Sequence, residues 1–235
     1  MPNIADNPVV SAGRLIARLA DKEDKPRLLP ETEAFLEAVL GRVPAPEAAA
    51  ERVGAVDPGL EVMIAPMLAF SVSPTMIEGS NRRNVIPGIC DVVCDCRLLP
   101  GQTQSEVEGV LREWLGRGNY EITWLEGTGG TRSPVDTVLW PAIEAFVQAE
   151  EPESQLVPVI LSGFTDSHYM REAFATVAYG FFPMRAMDAE LASRLIHSAD
   201  ERIPVDDLEL GTRFLIDVAR RLGSAAPGRG STLEA

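Results

Sequence analysis

Apolar positions in "NPVVSAGRLIARLA" recur at helical spacing: Val9, Ala12, Ile16 and Leu19 form one stripe, Asn7 can cap it, and Pro8 suits the first helical position. A helical excursion rich in Pro, Ala and Glu follows from about 21 to 59, in which "ETEAFLEAVLG" is one short helix with a glycine stop. "EVMIAPMLAFSVSPTMIEG" reads as an extended stretch, and "NVIPGICDVVCDCRLLPG" alternates cleanly from Ile89 to Arg97. The turn "EGSNRRN" between them makes an antiparallel pair. In "TQSEVEGVLREWLGRG", Thr103 and Glu106 form a capping box, and Val107, Val110, Leu111, Trp114 and Leu115 share a face. "YEITWLE" is expected to add a strand. The unit is an α+β layer, with helices on one face of a mainly antiparallel sheet.

The pattern changes after "GTGGTRSP". A helix from about Pro141 to Ala149 precedes "QLVPVILSG", a continuous apolar run of the kind buried on both faces of a sheet. "FTDSHYMREAF" reads as a short helix, "ATVAYGFFP" as a second buried strand, and "PVDDLELGTRFLIDVARRLG" as a closing helix with Leu208, Leu215, Val218 and Leu222 inward. Strands alternating with helices indicate a parallel α/β layer, and two strands are too few for such a sheet alone. The overall class is therefore α/β, the second half being part of a domain. The tail from 224 to 235, small and polar, is expected to be disordered.

Composition narrows the function classes. The chain is 46% apolar and 24% charged, within the ordinary globular range. Its net charge of −14 argues against nucleic acid as a partner. No apolar run approaches the roughly 20 residues of a membrane span, and "MPNIADNPVV" lacks the features of a secretory signal, so a cytoplasmic location is the expectation. Cys90, Cys94 and Cys96 share one strand face and lack a second pair elsewhere, which favours reduced packing residues over a metal site.

Three short stretches could carry chemistry. On the alternating strand, Arg97 points away from the cysteines, where it could hold a carboxylate bidentately or simply pair with Asp95. Asn84 lies in the preceding turn. In "GFTDSHYMR", Asp166 is a candidate helix cap, and His168 is either a functional histidine or a surface residue of an exposed first turn. In "HSADE", His197 stands before Asp200 and Glu201 and is open to reading as a metal ligand or a surface loop histidine.

Taken in order, "GSNRRNVIPGICDVVCDCRLLPGQT", "GFTDS" and "HSADERI" before a closing helix resemble the M20 family of metallopeptidases and amidohydrolases. The resemblance runs from about residue 1 to 223. It implies a lid and dimerisation domain at 1–126 and the C-terminal half of a zinc-peptidase-like α/β catalytic domain at 127–223. It implies His197 as a metal ligand, Asn84 and Arg97 as lid residues gripping a substrate carboxylate or carbonyl, and Asp166 at the active-site wall. His168 stands where many relatives carry arginine, and is expected to contact substrate there.

The implied cofactor is zinc, two ions in a complete enzyme, with cobalt or manganese as substitutes. The implied substrate is a small peptide or N-acyl amino acid, cleaved at an amide beside a free carboxylate, and the implied assembly is a homodimer. No histidine precedes His168, and Glu150–Glu151 is the first Glu-Glu pair, so the other ligands and the general base are expected upstream of Met1. No catalytic residue is assigned within the chain, which is expected to be inactive in isolation. The alternatives are a non-catalytic dimerisation or small-molecule-binding protein derived from the lid, and an unrelated mononuclear site built from Asp166, His168 and His197.

Overall fold

The computed structural model describes residues 6–125, 130–161 and 163–225. Helix α1 (Pro8–Ala20) starts at Asn7, whose side chain accepts from the Val9 N–H, with Pro8 at the first position. The stretch to residue 67 is more helical than its sequence pattern indicates. It holds α2 (Pro30–Leu40), α3 (Ala49–Gly54) and α4 (Pro58–Ile64), with 3-10 turns at Pro46–Ala48 and Ala65–Met67. The apolar run from Glu61 therefore begins as helix. Asp57 caps α4 by accepting from the Gly59 N–H, and the inward face of α4 joins Phe35, Leu36 and Val53 in one core cluster. Helical packing outcompetes the β-compatible composition of that run.

Strands β1 (Ser71–Glu78) and β2 (Asp91–Arg97) pair antiparallel, Ser71 opposite Arg97 and Glu78 opposite Asp91, with an irregularity between Pro74 and Met76. Pro74 has no N–H to give the ladder. Helix α5 (Gln104–Leu115) opens with the capping box: Thr103 Oγ accepts from the Glu106 N–H, and Glu106 accepts from the Thr103 N–H. Helices α1 and α5 cover one sheet face. Leu19, Phe70, Val107, Leu111 and Leu115 are buried there, and Cys94, Cys96 and Val72 pack against them. The side chain of Arg18 donates to the Leu115 carbonyl, and Phe70 stacks on Trp114 at 5.3 Å.

The expected third strand, 120–126, does not pair over 120–125, and residue 126 lies outside the described residues. Its side chains lie on α5 instead: the Tyr120 hydroxyl donates to the Gly116 carbonyl and Trp124 Nε1 to Glu108. The second half departs further. Helices α6 (Leu139–Glu150), α7 (Ser167–Phe174), α8 (Ala189–Leu195) and α9 (Val205–Ala225) form, but residues 155–161 and 175–183 run without strand pairing. Among the described residues the only sheet is the two-stranded β1–β2 pair, so these are mixed helices with a small antiparallel sheet rather than a demonstrated α/β layer. A strand is a pairing, and among the described residues neither segment has a neighbouring strand to supply one. Leu156 packs against α6 and α9 while Val157 and Ile160 reach the α2–α4 cluster, and Val159 and Leu161 stay exposed.

Helix α9 is rotated from its expected phase. Leu210, Phe214 and Val218 are buried, whereas Leu208 and Leu215 are exposed. Asp207 sets that rotation. Its carboxylate, 1% exposed, accepts from the backbone N–H groups of Arg185, Ala186 and Met187 at 2.7–2.9 Å, so the inward stripe runs 207, 210, 214, 218. Phe214 then packs edge-on against Phe146 and Phe181. Glu150 and Glu151, the lone Glu-Glu pair, are held by Arg213 and Arg185 and tie α6 to α9 and the 185 turn. Ser224 and Ala225 complete α9, and the remaining tail, 226–235, lies outside the described residues. No helix among the described residues is long and apolar enough to cross a membrane.

Candidate functional site

The end of β2 is joined to the second half by close backbone contact. Gly130 bridges in parallel to Pro100, and a Cβ at Gly130 would stand 3.0 Å from the Leu99 carbonyl and the Pro100 nitrogen. Glycine is needed for that approach. Thr131, Arg132 and Ser133 then line one cleft of about 420 Å³ together with Arg97 and with His168 and Arg171 of α7. The apolar wall comes from Leu156–Leu161, Trp140, Tyr179 and Phe181.

Arg97 and His168 both line this cleft; Asn84, Asp166 and His197 do not. Arg97 is half exposed, with Nε 2.9 Å from Asp95 Oδ2, so the ion pair that strand spacing allowed does form. Asn84 is exposed in the turn before β2. His168 is not a surface histidine: it is 8% exposed, with Phe164 tilted over its ring at 4.8 Å and Tyr169 edge-on. Its Nδ1 lies 3.4 Å from Thr131 Oγ1. Asp166 does not cap α7. Its backbone is already helical and its side chain caps nothing; the first turn is closed by the His168 N–H on the Thr165 carbonyl. His197 follows α8 on an exposed turn at φ 62°, its own N–H donating to Glu201. Left-handed backbone at a non-glycine residue is uncommon.

Sequence reasoning passes over Arg171, three residues after His168 and hence on the same helical face. Its Nε donates to Ser133 Oγ at 2.8 Å, one terminal nitrogen to Thr131 Oγ1 at 3.2 Å and the other to the Ala178 carbonyl at 2.6 Å. Ser133 Oγ also accepts from the Ala178 N–H at 3.0 Å. These contacts bracket α7, the 131–133 segment and the 178–181 wall. Burial lowers the guanidinium's affinity for its proton, though arginine stays charged at neutral pH. The i,i+3 spacing of His168 and Arg171 is the signal the sequence offers; Thr131 and Ser133 lie in "GTGGTRSP", where the sequence shows only a change of pattern.

The β2 thiols are poor nucleophiles. Burial, then the neighbouring Cys94 and Asp95, pushes Cys96 up to about 11, and burial raises Cys94. Among the described residues no group of three His, Cys, Asp or Glu side chains could hold a metal. By themselves they do not make up a two-zinc centre.

Residues 1–123 match the family model for the M20 peptidase dimerisation domain. The chain belongs to the M20 peptidase family. It is 31% identical to aminoacylase-1A of Rattus norvegicus over 57% of its own length and 32% of that protein. It is 25% identical to the Homo sapiens N-fatty-acyl-amino acid synthase/hydrolase PM20D1 over 61% of its length and 29% of that protein. The matched part is thus about a third of each relative. An M20 family metallo-carboxypeptidase from Sulfolobus solfataricus aligns over 72% of this M20 chain and 49% of its own, at 16% identity and a TM-score of 0.44.

Proposed function

We propose that this M20 chain is the substrate-gripping portion of a metal-dependent hydrolase that cleaves an amide or peptide bond beside a free carboxylate, as a peptidase or N-acyl-amino-acid deacylase. The observation that carries the reading is a single cleft lined both by Arg97, from the dimerisation-domain match, and by His168 of the second half. In this reading Arg97, helped by Asn84, holds the substrate carboxylate, and the apolar wall takes the side chain or acyl group. Asp166 and His197 act at an active-site wall and a zinc centre whose remaining ligands and general base lie outside these 235 residues. Residues 1–126 serve as lid and homodimerisation domain, and 127–223 as part of the catalytic domain.

Two measurements test the proposal. The 235-residue chain, supplied with zinc, should hydrolyse no member of a panel of dipeptides and N-acyl amino acids. The native enzyme, captured from its source cells through this chain, should turn some of them over, and Arg97→Ala in it should lower kcat/KM at least tenfold, about 1.4 kcal/mol of transition-state binding. An unchanged kcat/KM would reject the role of Arg97, and turnover by the 235 residues alone would reject the external metal centre.

A further inference from the structure

The cleft is electrically out of character with its chain. In a protein of net charge −14 it is lined by three arginines, Arg97, Arg132 and Arg171, against two carboxylates, Asp95 and Glu31. The two carboxylates are engaged: Asp95 with Arg97 at 2.9 Å and Glu31 with Arg132 at 3.4 Å. Arg171 differs. Its partners are two hydroxyls and a carbonyl, all neutral, and no ion pair to it forms among the described residues. A guanidinium has five N–H groups, and three are used, which leaves one on each terminal nitrogen.

A half-buried cation normally finds a carboxylate. Its neutral brackets fix the Arg171 fork in place without neutralising it, at the edge of a pocket whose volume falls in the range of small-ligand sites, about 300–1,000 Å³. His168 adds no carboxylate to the site. Thr131 Oγ1 accepts from Arg171 and can give its own proton to His168 Nδ1, which leaves the ring's Nε2–H as a further donor.

We infer that Arg171 is the anion anchor of the cleft: it binds the carboxylate of a small monocarboxylic ligand whose apolar part lies against the Leu156–Leu161 wall. The choice of an N-acyl amino acid as that ligand rests on the function proposed above; the anion site itself rests on Arg171.

The test titrates the 235-residue chain with N-acetyl-L-leucine and with its uncharged twin, N-acetyl-L-leucinamide, by calorimetry at low salt. The acid should bind at least tenfold more tightly than the amide. Arg171→Gln should bring that ratio close to one, while Arg132→Gln, which removes a paired arginine, should preserve it. Because Arg171 also braces three segments, the wild-type protein gives an independent readout. The Arg171 Nε–H resonance, assigned by its loss in Arg171→Lys, should move on addition of the acid and stay still with the amide.

A wild-type chain that binds neither probe at 10 mM, or an Nε–H resonance indifferent to both, overturns the inference. So does a ratio kept in Arg171→Gln but lost in Arg97→Gln, an outcome that would leave the proposed grip by Arg97 standing. Conversely, anchoring at Arg171 together with full activity of Arg97→Ala in the native enzyme would keep the inference and remove the grip.

Discussion

Replacing Ser133 by alanine probes the bracket that orients the cleft. The hydroxyl accepts two hydrogen bonds, from the Arg171 Nε–H at 2.8 Å and from the Ala178 N–H at 3.0 Å. A bond to a charged donor is worth about 1.5–3 kcal/mol and a neutral one about 0.5–1.5 kcal/mol. The site is half-buried, so water replaces part of what is lost and the lower ends apply, giving about 2 kcal/mol in all. That loss is local, because the Ala178 segment belongs to no sheet that would hold it otherwise. At 1.4 kcal/mol per decade, amide exchange at Ala178 should accelerate about thirtyfold. Hydrogen exchange followed by NMR reads this directly. Ser154→Ala, which removes an exposed hydroxyl donating to Glu151, is the control, and its effect should stay below about 0.5 kcal/mol. If Ala178 exchange changes less than threefold in Ser133→Ala and the urea midpoint stays put, the bracket does not hold the wall.

Two further outcomes follow from local electrostatics. Three backbone N–H bonds, those from Ala186 and Arg185 foremost, hold the Asp207 carboxyl below the usual carboxylate range. A depressed folded-state value adds stability above the unfolded pKa of about 3.9, and that stability is lost as pH falls through the folded value. An asparagine side chain at this position would keep one acceptor and turn an amide N–H₂ toward the Met187 N–H. Asp207→Asn should therefore be less stable at pH 7, with the gap in urea midpoint closing as pH drops from 5 to 3; a gap constant with pH would refute the assignment. Cys96, raised to about 11, is about 0.1% thiolate at pH 8 against roughly a quarter for an ordinary thiol near 8.5. Iodoacetamide should therefore modify it on the order of a hundredfold more slowly in the native chain than in urea, and equal rates by peptide mass spectrometry would contradict the burial.

Elements defined by short-range chemistry are legible in the sequence. The Asn7–Pro8 start of α1, the Thr103–Glu106 box of α5 and the cysteine face of β2 all depend on residues within six positions of one another. What escapes the pattern depends on distant partners. Residues 155–161 and 175–183 have strand-like composition, but pairing must come from elsewhere in space and none comes from the described residues. The phase of α9 differs from its apolar pattern because a buried aspartate, which pattern reading assigns to solvent, governs it from the N-terminal end. The burial of His168 escapes the sequence for a similar reason. Its burial comes from Phe164 and Thr131, one across a helix start and one 37 positions upstream.

Asp95 bears on both proposals for the cleft, because it already occupies Arg97. Each member of that pair is about half exposed, 47% and 48%, and exposed pairs of this kind contribute about 0.2–1 kcal/mol. A ligand carboxylate that displaces Asp95 from Arg97 thus gives up little, but it also gains little over water, since it trades one screened anion for another. Arg171 starts from a different state: it is bonded to neutral groups, partly desolvated, and among the described residues has no carboxylate to displace. Binding there gains a charge-assisted contact without first breaking one. If the inference holds, Arg171 decides whether a free carboxylate enters the cleft and stays. Arg97, already paired with Asp95, would then hold the bound ligand in orientation, the part of the proposed grip that Arg97→Ala tests.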